Sequence, residues 1–434
     1  MKFFFNEFKE VKIHSIQLTI ELVMFYGHVV RKGTQIRYKK VQTHPRVFSY
    51  LCRRSMEVTF NKNPNVQVFQ QNLQVLLTDY NSFRQKNASK QCLSLLQPLF
   101  PDRHLWLTHS GTAALEIIAD LLLSTGKTEI ILPSFCFVST AVAFQNKGFQ
   151  LRFAEADPHS LSASIPDILT ELVNENTAAV VWMHYAGSTP PEFSELLQYC
   201  SENQIFLIED AALGFGRNFE NQAIGSFGDA AIFSFDITKP ISAIQGGMLV
   251  IKNKNWLAQA DTYYHIGTNR SAFEQGKVAN YQWVSLGSKC QMNELNAAFL
   301  LTDLQQFNSK IANLQQLSRY YVQKIKGLQL QRAFELPSVF EHPENHHVIG
   351  LLFASSVLAH SVQIQMKQAG IEVFSHYQAL HEAPFALENQ LHRTLPLAQK
   401  LSTNYLRLPL HEDLNFAQID YVIDILQRAI QTAP

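Results

Sequence analysis

The chain has 434 residues, with 36 basic and 36 acidic side chains, 46% hydrophobic residues and 17% charged ones. That length holds one large domain plus a smaller one, or two equal ones, and the composition is that of a globular protein with a sizeable core. A neutral balance argues against a globally basic nucleic-acid binder, and five scattered cysteines without a CxxC pair fit reduced thiols in a cytoplasm better than disulfides or zinc.

Residues 1–55 stand apart, with eleven Lys/Arg against three acids, so they carry about +8. Their most apolar stretch, residues 16–30, is interrupted by Glu21 and His28. It is too short and too polar to span a bilayer, and it lacks a small-residue cleavage site. Met56 opens MEVTFNKNP, an ordinary protein beginning. Residues 1–55 are therefore read as an appended leader outside the folded body; the rival reading is an extra helix on the surface.

From about residue 104 the pattern becomes regular. Residues 112–124 (TAALEIIADLLLS) predict a helix apolar on most faces, hence buried. Apolar runs at 129–133, 150–156, 178–185 and 205–210 predict strands, and the segments 138–147, 164–174 and 190–203 between them have helical spacing. Runs at 230–235 and 247–252 add two more strands around a loop. Strands alternating with helices predict an α/β fold with a mostly parallel central sheet covered on both sides. Beyond about residue 292 a long helical pattern runs to Lys326, and the tail from about 328 mixes short strands and helices. The expected division is 1–55 extension, 56–306 large domain and 307–434 smaller C-terminal α+β domain.

In open α/β sheets ligands bind beyond the carboxyl ends of the strands. His109-Ser110-Gly111-Thr112 precedes the buried helix, where free N–H groups and the positive dipole end suit a phosphate, although a Ser there serves equally as a plain N-cap. Asp210 ends the apolar run IFLIED beside Glu209; on position alone it fits a capping or ion-pair role as well. Lys239 follows the strand AIFSF, and Pro240 after it keeps the lysine off a helix. The combination is what carries weight: helix start, strand-end acid, then a loop lysine 29 residues on.

HSGTAALE (109–116), LPSFCFVSTAVAF (132–144), HYAG (184–187), IEDAA (208–212), GDAAIFSFDITK (228–239), QGGMLVI (245–251) and GTNRS (267–271) together resemble the DegT/DnrJ/EryC1/StrS sugar aminotransferases. HYAG, GTNRS, residues 281–300 and RLPL (407–410) look most like the dTDP-4-amino-4,6-dideoxygalactose transaminase branch of enterobacterial common antigen synthesis. The resemblance implies the aspartate-aminotransferase fold, fold type I, with pyridoxal 5'-phosphate as cofactor. Lys239 matches the Schiff-base lysine and Asp210 the acid that keeps the pyridine nitrogen protonated. By the same resemblance Gly111 is expected to open the phosphate-binding turn. Thr112, Ala113 and Ser234 match phosphate-binding positions, Phe137 the aromatic against the cofactor ring, and Asn269 a residue reaching the neighbouring subunit's phosphate. It implies a homodimer with shared sites and ping-pong transfer from glutamate to a nucleotide-linked 4-keto-6-deoxyhexose; the absence of a membrane span is expected from the residues themselves.

The chain departs from the family pattern at Leu213, where Gln or His contacts the ring hydroxyl, and at Asp236, Pro240 and Gln245. These changes suit a divergent specificity, for another keto sugar or a cyclitol; an inactive regulatory relative is a second reading. A related sugar dehydratase would carry histidine in place of Lys239. His184 and Tyr185 could line the site or be structural. His376, Tyr377 and His381 resemble a segment facing the substrate, and His346-His347 is expected on the surface. No metal-ligand spacing such as HExxH occurs.

Overall fold

Seven strands form one sheet in the order β1-β7-β6-β5-β4-β2-β3. They are β1 (His104–Thr108), β2 (Glu129–Pro133), β3 (Gln150–Ala154), β4 (Thr177–Met183), β5 (Phe206–Asp210), β6 (Ala230–Ser234) and β7 (Gly247–Ile251). The computed structural model describes residues 56–62, 66–78, 85–330, 332–342 and 347–433. The basic segment 1–55, Cys52 and His346 lie outside the described residues.

Strands β2 to β6 pair in parallel, and β7 alone runs antiparallel to both its neighbours, β1 and β6. The sequence dictates this burial: TAAVVWM of β4 and GMLVI of β7 are buried at every position, as strands covered on both faces must be. The helix Gly111–Leu122 (α1) lies beneath the sheet with eight buried residues, which its apolar faces demand. Ser110 caps it, accepting from the Ala113 N–H at 3.1 Å.

Three helical expectations differ in detail. Residues 164–174 form a short turn Ile165–Asp167 followed by a π-type turn Ile168–Leu172, because Val173 already leaves helical geometry (ψ 132°). Residues 190–203 begin their helix only at Phe193, after Pro190 and Pro191. The long pattern after 292 is two helices, α2 (Glu294–Gln305) and α3 (Phe307–Gly327), broken at Gln306 (φ −105°, ψ 10°) with no proline or glycine to announce it.

After α3 the chain builds a three-stranded antiparallel sheet: β8 (Phe334–Glu335), β9 (Ile349–Phe353) and β10 (Tyr405–Leu408). Helices Ser356–Gln368, Pro396–Asn404 and Phe416–Thr432 accompany it. Residues 56–62 run beside this part, with the Val58 N–H donating to Gly370 O at 2.9 Å and Val58 O accepting from the Glu372 N–H at 3.0 Å. That return brings Phe60 and Asn61 to the carboxyl ends of the large sheet. Cys92, Cys136, Cys200 and Cys290 are buried free thiols.

Candidate active site

A cavity of about 460 Å³ opens where the parallel strands end. Its walls come from the turn after β1, the segment after β2, the last residues of β4, β5 and β6, and the loop between β6 and β7. Phe60, Asn61, His347, Phe374, His376, Tyr377 and Arg407 complete it from the other body of the fold.

Asp210 is the last residue of β5 and is 4% exposed. Its Oδ2 accepts the Thr140 hydroxyl at 2.6 Å, and its Oδ1 accepts the Ala212 N–H at 3.1 Å. Strand alternation sends its neighbour the other way. Glu209 is fully buried, accepts the N–H groups of Gly225, Phe227 and Gly228, and lies 2.9 Å from His184 Nε2. So Glu209 and His184 lock the far side of the strand end while Asp210 faces the cavity.

Lys239 lines the same cavity. Its loop is shaped by Asp236, whose Oδ1 accepts both the backbone N–H and the hydroxyl of Thr238, and whose carbonyl accepts the Lys239 N–H at 2.9 Å. Burial, then the Arg407 guanidinium, lower the Lys239 amine to about 8, against the opposing pull of Asp210 and Asp236. Beyond the lysine a buried ion cluster fastens the loop. Lys62 Nζ donates to Pro240 O at 2.8 Å and to Asp303 Oδ2 at 2.6 Å, and that carboxylate also accepts the Ser242 N–H at 2.9 Å. Lys310 bridges Asp303 and Glu412 at 2.6 Å each.

At another wall, Gly111 and Thr112 begin α1 with N–H groups that have no acceptor among the described residues. Ser234 ends β6 beside them: a methyl group placed on Gly111 would stand 3.4 Å from Ser234 Cβ. The first residue of β7 must be glycine here, since a Cβ on Gly247 would fall 2.5 Å from the Gly111 nitrogen. Phe137 projects into the cavity, 56% exposed, its ring 6.0 Å from that of Tyr377.

Of the residues singled out from the sequence, Lys239, Asp210, Gly111, Thr112, Phe137 and Ser234 line this one cavity. Ala113 does not: it is buried, and its N–H is already used by Ser110. Asn269 lies outside the cavity of its own chain, its side chain joining Asn280 O and the Gln282 N–H across a loop. His376 and Tyr377 line the cavity, whereas His381 is tied to Ser134 at 2.7 Å away from it. His184 proves structural, held between Glu209 and Thr189, and Tyr185 is buried with its hydroxyl on His376 O. The expectation of a surface His347 is overturned: it is 7% exposed and lines the cavity, because the chain entering β9 turns inward against the lysine loop.

Of the departures, Leu213 is buried in the cavity wall, and its aliphatic side chain offers no hydrogen bond there. Arg407, Thr140, Phe60 and Asn61 were given no role from the sequence. Arg407 carried a signal, a lone charge inside the apolar run YLRLPL.

The model of the DegT/DnrJ/EryC1/StrS aminotransferase family matches residues 95–427. A dTDP-4-dehydro-2,3,6-trideoxy-D-glucose 4-aminotransferase of Saccharopolyspora spinosa is 28% identical over 339 residues, 76% of this chain and 85% of that protein. Among solved structures, Helicobacter pylori PseC, an aminotransferase of pseudoaminic acid biosynthesis, superposes with TM-score 0.76 at 19% identity, covering 87% of this chain and all of that one. The PLP-form of the Streptococcus pneumoniae protein Spr1654, described as a putative sugar aminotransferase, gives TM-score 0.75 at 18% identity over 87% of this chain and all of that one.

Proposed function

The chain belongs to the DegT/DnrJ/EryC1/StrS aminotransferase family, the pyridoxal phosphate-dependent sugar aminotransferases that act on nucleotide sugars, and from that premise we propose its reaction: transfer of an amino group from glutamate to C4 of a dTDP-linked 4-keto-6-deoxyhexose. The observation that carries the reading is one cavity holding a lysine amine lowered to about 8 together with a strand-end carboxylate. The Saccharopolyspora relative, named for C4 amination of a dTDP-sugar, supports the nucleotide and the position; its sugar is a trideoxy one. The 4,6-dideoxygalactose branch remains our proposal for the sugar, and surface-polysaccharide or glycoconjugate synthesis for the pathway.

The residues present fit the cofactor. The free N–H groups of Gly111 and Thr112, with Ser234 beside them, suit its phosphate; Phe137 offers a ring face; Asp210 suits its ring nitrogen; and Lys239 suits its aldehyde. When bound, pyridoxal phosphate supplies a carbonyl that takes up amines and a ring that accepts the electron pair left by proton removal. The protein supplies the rest. With a pKa of about 8, Lys239 is about one-tenth neutral at pH 7, against well under a thousandth for an ordinary lysine. Its Nζ is therefore a working nucleophile, and with the cofactor bound it would be the base that takes the proton from the donor carbon and delivers it to the former aldehyde carbon, as transfer of the amino group requires. Asp210, fixed by Thr140 and Ala212, presents a charge whose position needs no reorganisation.

We further propose a homodimer with shared sites. The loop that carries Asn269 is followed by exposed Trp283, Val284 and Leu286, at 77%, 55% and 74%, an apolar run suited to burial against a second copy. The division 56–306 and 307–434 is retained as our domain assignment. A cytoplasmic location accords with the buried free thiols.

The test is Lys239→Ala. It is expected to abolish the borohydride-trapped linkage at that position and to lower turnover by at least about 10³-fold. Retained turnover would overturn the assignment.

A further inference from the structure

Lys239 sits in a stretch of chain with little freedom of its own. Its N–H donates to Asp236 O at 2.9 Å, and Pro240 follows it. A proline ring locks φ and holds the preceding residue extended, so the backbone from Lys239 to the Pro240 carbonyl moves almost as one piece. A group that holds that carbonyl therefore holds the lysine. Its partner is Lys62, whose Nζ donates to Pro240 O at 2.8 Å and to Asp303 Oδ2 at 2.6 Å. The same carboxylate oxygen accepts the Ser242 N–H at 2.9 Å, so two bonds clamp the chain just past the lysine. Lys62 and Lys239 border one narrow cleft.

From the other direction Lys62 is held by the C-terminal part of the fold. Val58 pairs with residues 370–372, the Phe60 N–H donates to Glu372 Oε2 at 2.7 Å, and His411 Nε2 lies 3.0 Å from Thr59 O. Phe60 and Asn61, the two residues before Lys62, line the cavity. The lysine side chain is only 5% exposed, and burial pushes its amine below the ordinary value. Lys310 already gives Asp303 and Glu412 a cation, at 2.6 Å each. What Lys62 adds to the cluster is the bond to Pro240. We infer that Lys62 is a positioning residue for Lys239: it joins the segment carrying Phe60 and Asn61 to the lysine loop and fixes where the amine stands. The inference rests on the reading of Lys239 as the reacting lysine, and it adds the group that aims it. Lys62 acts through backbone alone, and a displacement of about 1 Å at a reacting group lowers a rate on the order of 100-fold.

Two lysines of one cluster supply the comparison, in the full-length protein. Lys62→Met and Lys310→Met each remove one buried cation, and both are expected to lower the urea midpoint of unfolding. Only Lys62→Met is expected to lower kcat, by about 10- to 100-fold, with KM for L-glutamate within about threefold. A second readout is capture of pyridoxal phosphate by the cofactor-free protein, followed by absorbance at about pH 9.5, where the Lys239 amine is largely neutral. Its rate should fall about 10-fold in Lys62→Met and stay within about threefold in Lys310→Met. Lys62→Arg keeps a donor for Pro240 O and should recover part of both losses. Equal losses of kcat in the two methionine variants overturn the inference, since they would trace to weakened folding. So does a Lys62→Met protein whose kcat and capture rate are unchanged. If Lys62→Met fails to fold, its combination with Glu412→Gln removes one charge of each sign and decides by the same two rates. A wild-type protein in which borohydride traps no cofactor at Lys239 overturns instead the reading on which the inference rests.

Discussion

Two groups of buried charge lie on either side of the lysine loop, and they are built on opposite plans. On one side, Lys62, Asp303, Lys310 and Glu412 form a closed set in which each cation has an anion within 3.7 Å. On the other, Lys239, Asp210 and Arg407 share a cavity, and no ion pair joins them. The closed set is complete without any ligand, so it serves structure: it fixes Pro240 and Ser242 on the far side of the lysine. The open set has no ion pair among its members, and its groups face a cavity that a ligand can enter. Burial alone does not mark a functional site; buried charges that face a cavity and are not joined to one another are the better sign.

Breaking the closed set gives the largest expected effect. Asp303→Asn leaves two buried lysines facing a single acid and is expected to cost about 3–5 kcal/mol in urea unfolding. Replacing all four charges together by apolar residues of similar volume should recover most of that loss, an outcome with no counterpart in the open set. A charged-state cost that persisted in the quadruple variant would show that the cluster is not closed.

A smaller effect sharpens the other side. Thr140→Val removes the 2.6 Å donor from Asp210 Oδ2 and is expected to lower turnover about 10-fold with little change in melting temperature. A large fall in melting temperature with unchanged turnover would place Asp210 with the structural charges instead.

The smallest effect is one of pH. Only the neutral amine of Lys239 captures an aldehyde, so in the cofactor-free protein the capture rate should rise about tenfold per pH unit below about 8 and level off above it. Because Arg407 helps to hold that value down, Arg407→Gln should move the bend upward. Stopped-flow absorbance against pH measures both. A bend at the ordinary lysine value of about 10.5 would mean that the pocket does not dehydrate the amine.

How much of this was legible in the residues follows from distance along the chain. β4 and β7 announce themselves because every position is apolar, and α1 because its apolar residues leave no polar face. Lys239, Asp210 and Gly111 are legible because each lies at or within a few residues of a strand end, a local relation, whereas Ser234 is reached only through the family resemblance. Thr140 lies inside a segment carried by the family resemblance, yet its bond to Asp210 spans 70 residues and no period reveals it. Phe60 and Asn61 reach the cavity only because Val58 pairs with residues 370–372. Arg407 was visible as a charge in an apolar run, but its lack of an acid is a fact of three dimensions. The inward turn of His347 is not legible, because a histidine pair next to a polar stretch carries no sign of which way the chain turns. The break at Gln306 left no trace, since neither flanking residue is a helix breaker.

The fastening of the lysine loop also orders events at the ribosome. Its parts are residues 62, 303, 310 and 412, so the first is made early and the last emerges some 350 residues later. Until Glu412 leaves the exit tunnel, two cations share one acid and β10, with Arg407, has only just been synthesised. A nascent chain is therefore expected to have no finished pocket to offer the vitamin, so that loading follows translation rather than guiding it.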